Sequence, residues 1–227
     1  MAYLTLRDGL PVHVRDEGGG RPIVLLQGLM LSADYFWQHN RALAKSHRLI
    51  TYDQRGHGLT GKPLSGYSIR QCADDLHEIL ELLDVDDVTL GGVAFGAMVM
   101  LEYLRAHGTE RLAKLVVIEA QVRLTNAPDW PHPSFGDFPA AAGQAFVAAC
   151  RQSRAPLSGF LDGIFAAPPP PEVMARMQAE CWLTPTGAVI DYLNDMLAAD
   201  YRADIARIPL PTLFIYGRRG NKILPTE

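Results

Sequence analysis

Residues 90–98 read LGGVAFGAM. An apolar strand that turns sharply between small residues and then opens a helix lifts one side chain clear of the backbone, which is the placement a nucleophile needs. The lifted residue is Ala94, between Gly92 and Gly96. Serine, cysteine or aspartate there would offer an atom able to attack carbon; a methyl group offers none. Two other kinds of chemistry remain within reach of the same place. Backbone N–H groups at such a turn can hold a developing oxyanion whatever side chains they carry. Glu119, which closes the apolar run LVVIE, is a carboxylate at a strand end, with the alternative role of pairing with a neighbouring segment. A base is harder to name: of seven histidines, His57 lies in an RGHG turn and His132 in a Pro-rich stretch. His13, His39, His47, His77 and His107 fall in elements where a structural or solvated role is expected.

These residues need a scaffold, and the hydrophobic pattern describes one. AYLTL and PVHVRD alternate around RDGL and predict a hairpin, followed by a turn at Gly18-Gly19-Gly20. That glycine run precedes a strand rather than opening a helix, which argues against a phosphate loop. PIVLLQ, RLITYD, DVTLGGV, LAKLVVIEA and PTLFIYG are short apolar runs of the kind that strands covered on both faces show. Residues 34–44, 69–83 and 97–107 carry apolar side chains at helical spacing. Strand and helix alternate, so a mainly parallel sheet flanked by helices is expected, with its sites at the carboxyl ends of the strands. The alternation stops at residues 121–206, where NAPDWPHPSFGDFP, helical segments and FAAPPPPE predict a helical cap over one face. The expected division is therefore a core at 1–120, a cap at 121–206 and a return to the core at 207–227.

Composition narrows the function classes. The 227 residues are 48% hydrophobic and 20% charged with a formal net charge of −4, which fits one globular domain with an insertion and offers no basic run for nucleic acid. Cys72, Cys150 and Cys181 are scattered and odd in number, so neither a disulfide framework nor a metal site is expected. The start, MAYLTLRDGLPV, has no long apolar run, and a cytoplasmic protein without a membrane anchor is the expectation. No cofactor fingerprint occurs.

Gly92-Val93-Ala94-Phe95-Gly96, PIVLLQGLMLSADYFW and TYDQRGHGLT occur in the order in which the α/β-hydrolase superfamily carries its nucleophile elbow, its oxyanion loop and the strand and turn after it. The chain resembles that superfamily, in its serine esterase and lactonase branch, over nearly its whole length. The resemblance implies the α/β-hydrolase fold with Ala94 at the nucleophile position and oxyanion donors at the N–H groups of Leu29 and Phe95. Gln27-Gly28 stands where the family usually has His-Gly. The acid's usual place in YGRRGNKILP falls on Gly220 or Asn221, neither of which carries a carboxylate, so the resemblance directs the acid's role to Glu119. It also implies that the family's last strand, its helix and the histidine base fall past Glu227, leaving a sheet edge uncovered.

An apolar substrate pocket between elbow and cap is expected, with Met30 and Trp130 foremost among its lining and Tyr35, Phe95, Phe135, Phe138 and Phe160 as further candidates. The implied activity is hydrolysis of an ester or lactone of a small, largely apolar molecule by a Ser-His-acid mechanism, without a cofactor. The chain as written is expected to be inactive, whether Ala94 replaces a serine or is native. A non-catalytic protein that holds a small ligand is the alternative, and it would explain Gln27, Ala94 and Gly220 by one cause.

Overall fold

A computed structural model of the chain describes residues 2–130, 138–165 and 167–217. Seven strands form one sheet in the order β1-β2-β4-β3-β5-β6-β7. The hairpin predicted at the start is β1 (Ala2–Thr5) and β2 (Pro11–Gly18), antiparallel to each other. Its turn is closed by Gly9 N–H donating to Leu6 O at 2.8 Å, with Gly9 at φ 85°, a left-handed value that suits glycine. β2 also runs antiparallel to β4 (Arg48–Tyr52), and β3 (Pro22–Leu26), β4, β5 (Val88–Val93), β6 (Leu112–Ile118) and β7 (Thr212–Ile215) are parallel.

The chain leaves β3 toward β4 on one side and returns to β5 on the other. The carboxyl ends of β3 and β5 therefore flank the point where the winding reverses, and loops leaving there diverge and open a crevice. The loop after β3 and the turn after β5 are the two segments that the sequence singled out.

Helices cover both faces. α1 (Trp37–Leu43) follows a 3₁₀ turn at Ala33–Phe36, so the helix expected over 34–44 is split, with Ser32 capping the first turn through Asp34 N–H. α2 (Ile69–Leu82) starts at Ser68, whose hydroxyl accepts from Gln71 N–H at 3.1 Å. Its buried face of Ile69, Cys72, Ala73, Leu76, Ile79 and Leu80 packs with α3 (Phe95–His107) over the sheet. α3 begins at Phe95, two residues before the periodicity suggested, because its N-cap is Ala94 and the helix springs directly from the elbow.

The cap consists of α4 (Ala140–Gln152), α5 (Ala155–Gly163), α6 (Pro171–Trp182), α7 (Thr186–Ala198) and the short α8 (Arg202–Ile205). The proline tract ends with Pro171 at the first turn of α6, where the absent N–H costs nothing. Gly143 of α4 lets α7 approach: a Cβ there would stand 2.5 Å from Leu197 Cδ2. Met30 and Leu31 of the sheet loop join Val147, Leu157, Leu161 and Val189 in one apolar cluster that seats the cap. Among the described residues β7 is an edge strand, with Leu213, Phe214 and Ile215 exposed.

Candidate active site

The turn at the end of β5 is dictated by crowding. A Cβ on Gly92 would lie 2.5 Å from Ala97 N, and one on Gly96 would lie 2.4 Å from Leu26 O, so strand and helix pass too close for any side chain at either place. Between them Ala94 takes φ 48° and ψ −108°, a strained backbone that raises its side chain off the sheet edge. Its N–H donates to Ile118 O at 3.0 Å and its carbonyl accepts from Ala97 N–H at 3.0 Å, which locks the turn to β6 and α3.

Phe95 is the first residue of α3, so its N–H lacks an intrahelical acceptor. The loop after β3 places Leu29 opposite, closed by Leu31 N–H donating to Gly28 O at 3.2 Å. Among the described residues neither the Leu29 nor the Phe95 N–H has a hydrogen-bond acceptor, and both residues line the cavity that contains Ala94. Two free main-chain donors beside a raised side chain are the elements of an oxyanion site.

Gln27, where the family usually has histidine, is fully buried. Its side-chain nitrogen donates to Tyr52 O (3.0 Å) and its oxygen accepts from Gln54 N–H (2.8 Å), while the Gln54 amide donates to Gln27 O (3.0 Å). The substitution thus keeps the loop tied to the end of β4.

Below this loop lies a residue that the sequence reading passed over. Asp53, 2% exposed, accepts from Ala33 N–H (2.7 Å) and Leu59 N–H (2.8 Å) and contacts His13 Nδ1 (2.9 Å). Gly58 must be glycine there, since a Cβ would stand 2.3 Å from Asp53 Cγ. Arg55 in the same turn makes a buried pair with Asp75 of α2, Nε to Oδ2 at 2.8 Å and Nη2 to Oδ1 at 2.6 Å. The signal was the density of polar residues in TYDQRGHGLT, too many to be buried unless they satisfy one another.

Glu119 sits one strand over. It follows Ile118, the register partner of Val93, and takes φ 46°. Its N–H donates to Ile215 O at 3.0 Å, and one carboxylate oxygen accepts from Gly217 N–H. Among the described residues five non-glycine residues have left-handed φ, and three of them, Met30, Ala94 and Glu119, line the same cavity. Tyr35 lines it too; burial pushes its phenol above the ordinary value and the Glu119 charge adds to that.

The cavity encloses about 440 Å³. The cap contributes Phe146, Leu161, Leu193 and Met196, residues that no motif marked and that only helical periodicity could have suggested. Of the expected lining, Met30, Tyr35, Phe95, Phe138 and Phe160 are present. Trp130 is not: Trp130 N–H donates to Ala127 O at 2.8 Å, and this tight turn carries the indole under Arg202, whose guanidinium carbon is 5.6 Å from the ring centroid. Arg202 is anchored by Asp129 and Asp200, so among the described residues Trp130 is placed against Arg202 rather than in the lining of the cavity. Phe135, His132, Gly220 and Asn221 lie outside the described residues.

No described histidine lines the cavity. His57 is fully buried beside it, Nδ1–H donating to Arg55 O at 2.9 Å and its ring stacked on Phe95 with centroids 6.0 Å apart. Burial depresses its pKa to about 4, so it stands there as a neutral ring. No cluster of three or more metal-ligating side chains occurs among the described residues, and no described helix is long and apolar enough to cross a membrane.

Comparison with known proteins matches this arrangement. The family model described as alpha/beta hydrolase fold matches residues 21–226. A Synechocystis protein named for non-heme chloroperoxidase is 30% identical over 251 residues, covering 100% of this chain and 85% of that protein. Among solved structures, the esterase EaEST from Exiguobacterium antarcticum superposes with a TM-score of 0.89 at 26% identity, covering 98% of this chain and 82% of that one. A bromoperoxidase from Bacillus anthracis gives 0.84 at 28% identity, covering 92% and 78%. With its elbow, its reversal point and its cap in the family's order, the chain belongs to the α/β-hydrolase fold family.

Proposed function

We propose that this site is built to take the acyl part of a small, largely apolar ester or lactone, with its carbonyl oxygen at the Leu29 and Phe95 N–H groups and its acyl carbon over position 94. The observation that carries this reading is the strained elbow at Ala94, held by two glycines that backbone crowding makes obligatory, at the floor of an apolar cavity. Strain of about 1–3 kcal/mol persists where a site requires the geometry. The esterase likeness supports the same class of substrate. With serine at 94 and a histidine base, Glu119 would be the charged partner; with alanine there, no acyl-enzyme can form. The absence of a nucleophile should therefore lower turnover far more than binding, because the missing bond forms only toward the transition state. A ligand-holding role without turnover is the second reading, favoured by Ala94 together with the lack of a described histidine in the lining.

Calorimetric titration with medium-chain esters and lactones tests the site. Saturable binding is expected, weakened at least tenfold by Phe160→Asp, which places a charge on a cavity residue that is 40% exposed and so leaves the fold intact. No saturation at millimolar ligand by the folded chain, or equal affinity in the variant, counts against it.

A further inference from the structure

We propose that Glu119 is itself a catalytic base that activates water directly, giving the chain a slow hydrolysis of apolar esters that needs no serine. The proposal rests on the acyl-site reading above. Val93 and Ile118 are register partners and Ala94 N–H bonds Ile118 O, so Ala94 and Glu119 leave adjacent strand ends side by side. Both take a left-handed φ, 48° and 46°. A left-handed residue thus stands at each of the two strand ends, the second carrying an ionisable side chain into the same cavity.

Both residues line the cavity, and no described lysine, arginine or histidine does. Gly217 N–H anchors one carboxylate oxygen. Among the described residues no hydrogen bond or ion pair engages the other oxygen, which leaves it able to accept a proton. Tyr35 feels the same charge across the cavity. A carboxylate that was only a structural tie would be expected to carry a cationic partner; this one is set among apolar walls next to the two free N–H donors. With a methyl group at 94, the approach to an acyl carbon over the elbow is open to water.

The step balances. The water oxygen bonds to the acyl carbon while its proton passes to the free oxygen of Glu119, and the carbonyl π pair moves onto the oxygen held by Leu29 and Phe95. When that pair returns, the bond from the acyl carbon to the alcohol oxygen breaks and the proton on Glu119 passes to the leaving alcohol. Ester and water become acid and alcohol, Glu119 ends as a carboxylate, and no covalent intermediate forms.

The experiment uses the whole chain with p-nitrophenyl butyrate as substrate and a ketone analogue of it as a non-hydrolysable ligand. Expected are saturable release above the buffer rate, indifference to a fluorophosphonate, and no acyl adduct by intact mass. Glu119→Gln keeps an oxygen for Gly217 N–H, so it should melt like the parent and bind the ketone equally, yet lose about 10²-fold or more of the turnover. Glu119→Asp, which keeps the carboxylate on a shorter arm, should retain more than Glu119→Gln. Equal turnover in parent and Glu119→Gln overturns the proposal, as does a parent that binds the ketone without turning over the ester. Failure of the folded parent to bind the ketone overturns the acyl-site reading as well, so the two failures are told apart.

Discussion

With φ 48° and ψ −108°, Ala94 occupies a backbone region that L-residues enter at about 1–3 kcal/mol, and its methyl group makes no hydrogen bond that would offset this. The conformation is imposed from outside, by the close passage of β5, α3 and the loop after β3 around Gly92 and Gly96. Glycine at 94 would relieve the strain but free the unfolded chain by about 0.4–1 kcal/mol. The balance favours Ala94→Gly by about 1 kcal/mol, or a rise in melting temperature of about 2–4 °C for a chain of this size. A melting temperature equal to or below the parent's would mean that the elbow is unstrained at this residue and that the site's geometry is not held by force.

Between elements, the cap is joined to the core by contacts far apart in sequence. Asp195 of α7 accepts Ile69 N–H at 2.6 Å, placing a carboxylate at the first turn of α2, where it satisfies an orphan donor and meets the positive end of the helix. Tyr192, one turn earlier on α7, donates to Arg55 O at 2.9 Å. Asp195→Ala should therefore cost about 1.5–3 kcal/mol, the range for a hydrogen bond to a charged group. It should also raise hydrogen exchange at both α7 and the start of α2; exchange confined to the mutated turn would show that the contact does not couple cap to core. Contacts of this kind explain what could be read in advance. Strands β3 to β7 and the elbow were legible because an apolar run and a glycine pair are local signals. The cap's place was legible only as an interruption, and the side on which Trp130 lies was not legible, because a position in the insertion says nothing about where a turn such as Ala127–Trp130 points a ring. The Asp53 hub escaped notice because its partners Ala33, Leu59 and His13 come from three separate segments.

Over the whole molecule, sheet, elbow and cap meet at one titratable ring. His57 stacks on Phe95 of the elbow and lies 5.4 Å, centroid to centroid, from Tyr192 of the cap, with none of its surface exposed. Nδ1–H donates to Arg55 O, while Nε2 has no partner among the described residues, so the ring fits this place only when neutral. Burial is the main cause of its depressed pKa, about 4 against the ordinary 6.5, and the Arg55 carbonyl works in the opposite direction without overcoming it. The sign of the pH effect follows. Between pH 6.5 and 4 the unfolded chain binds a proton that the folded chain refuses, so stability is full above pH 6.5 and declines as pH falls toward 4. At pH 5 the loss from this one group is about 2 kcal/mol. Other groups titrate in the same window, so the measurement compares urea unfolding at pH 7 and pH 5 in the parent and in His57→Asn. The variant should be less stable at pH 7 through lost stacking, but its decline from pH 7 to pH 5 should be smaller by about 2 kcal/mol. An equal decline in both chains would place the acid sensitivity elsewhere. It would also mean that His57 is protonated inside the fold, and would return it to consideration as a group that can move a proton beside the elbow.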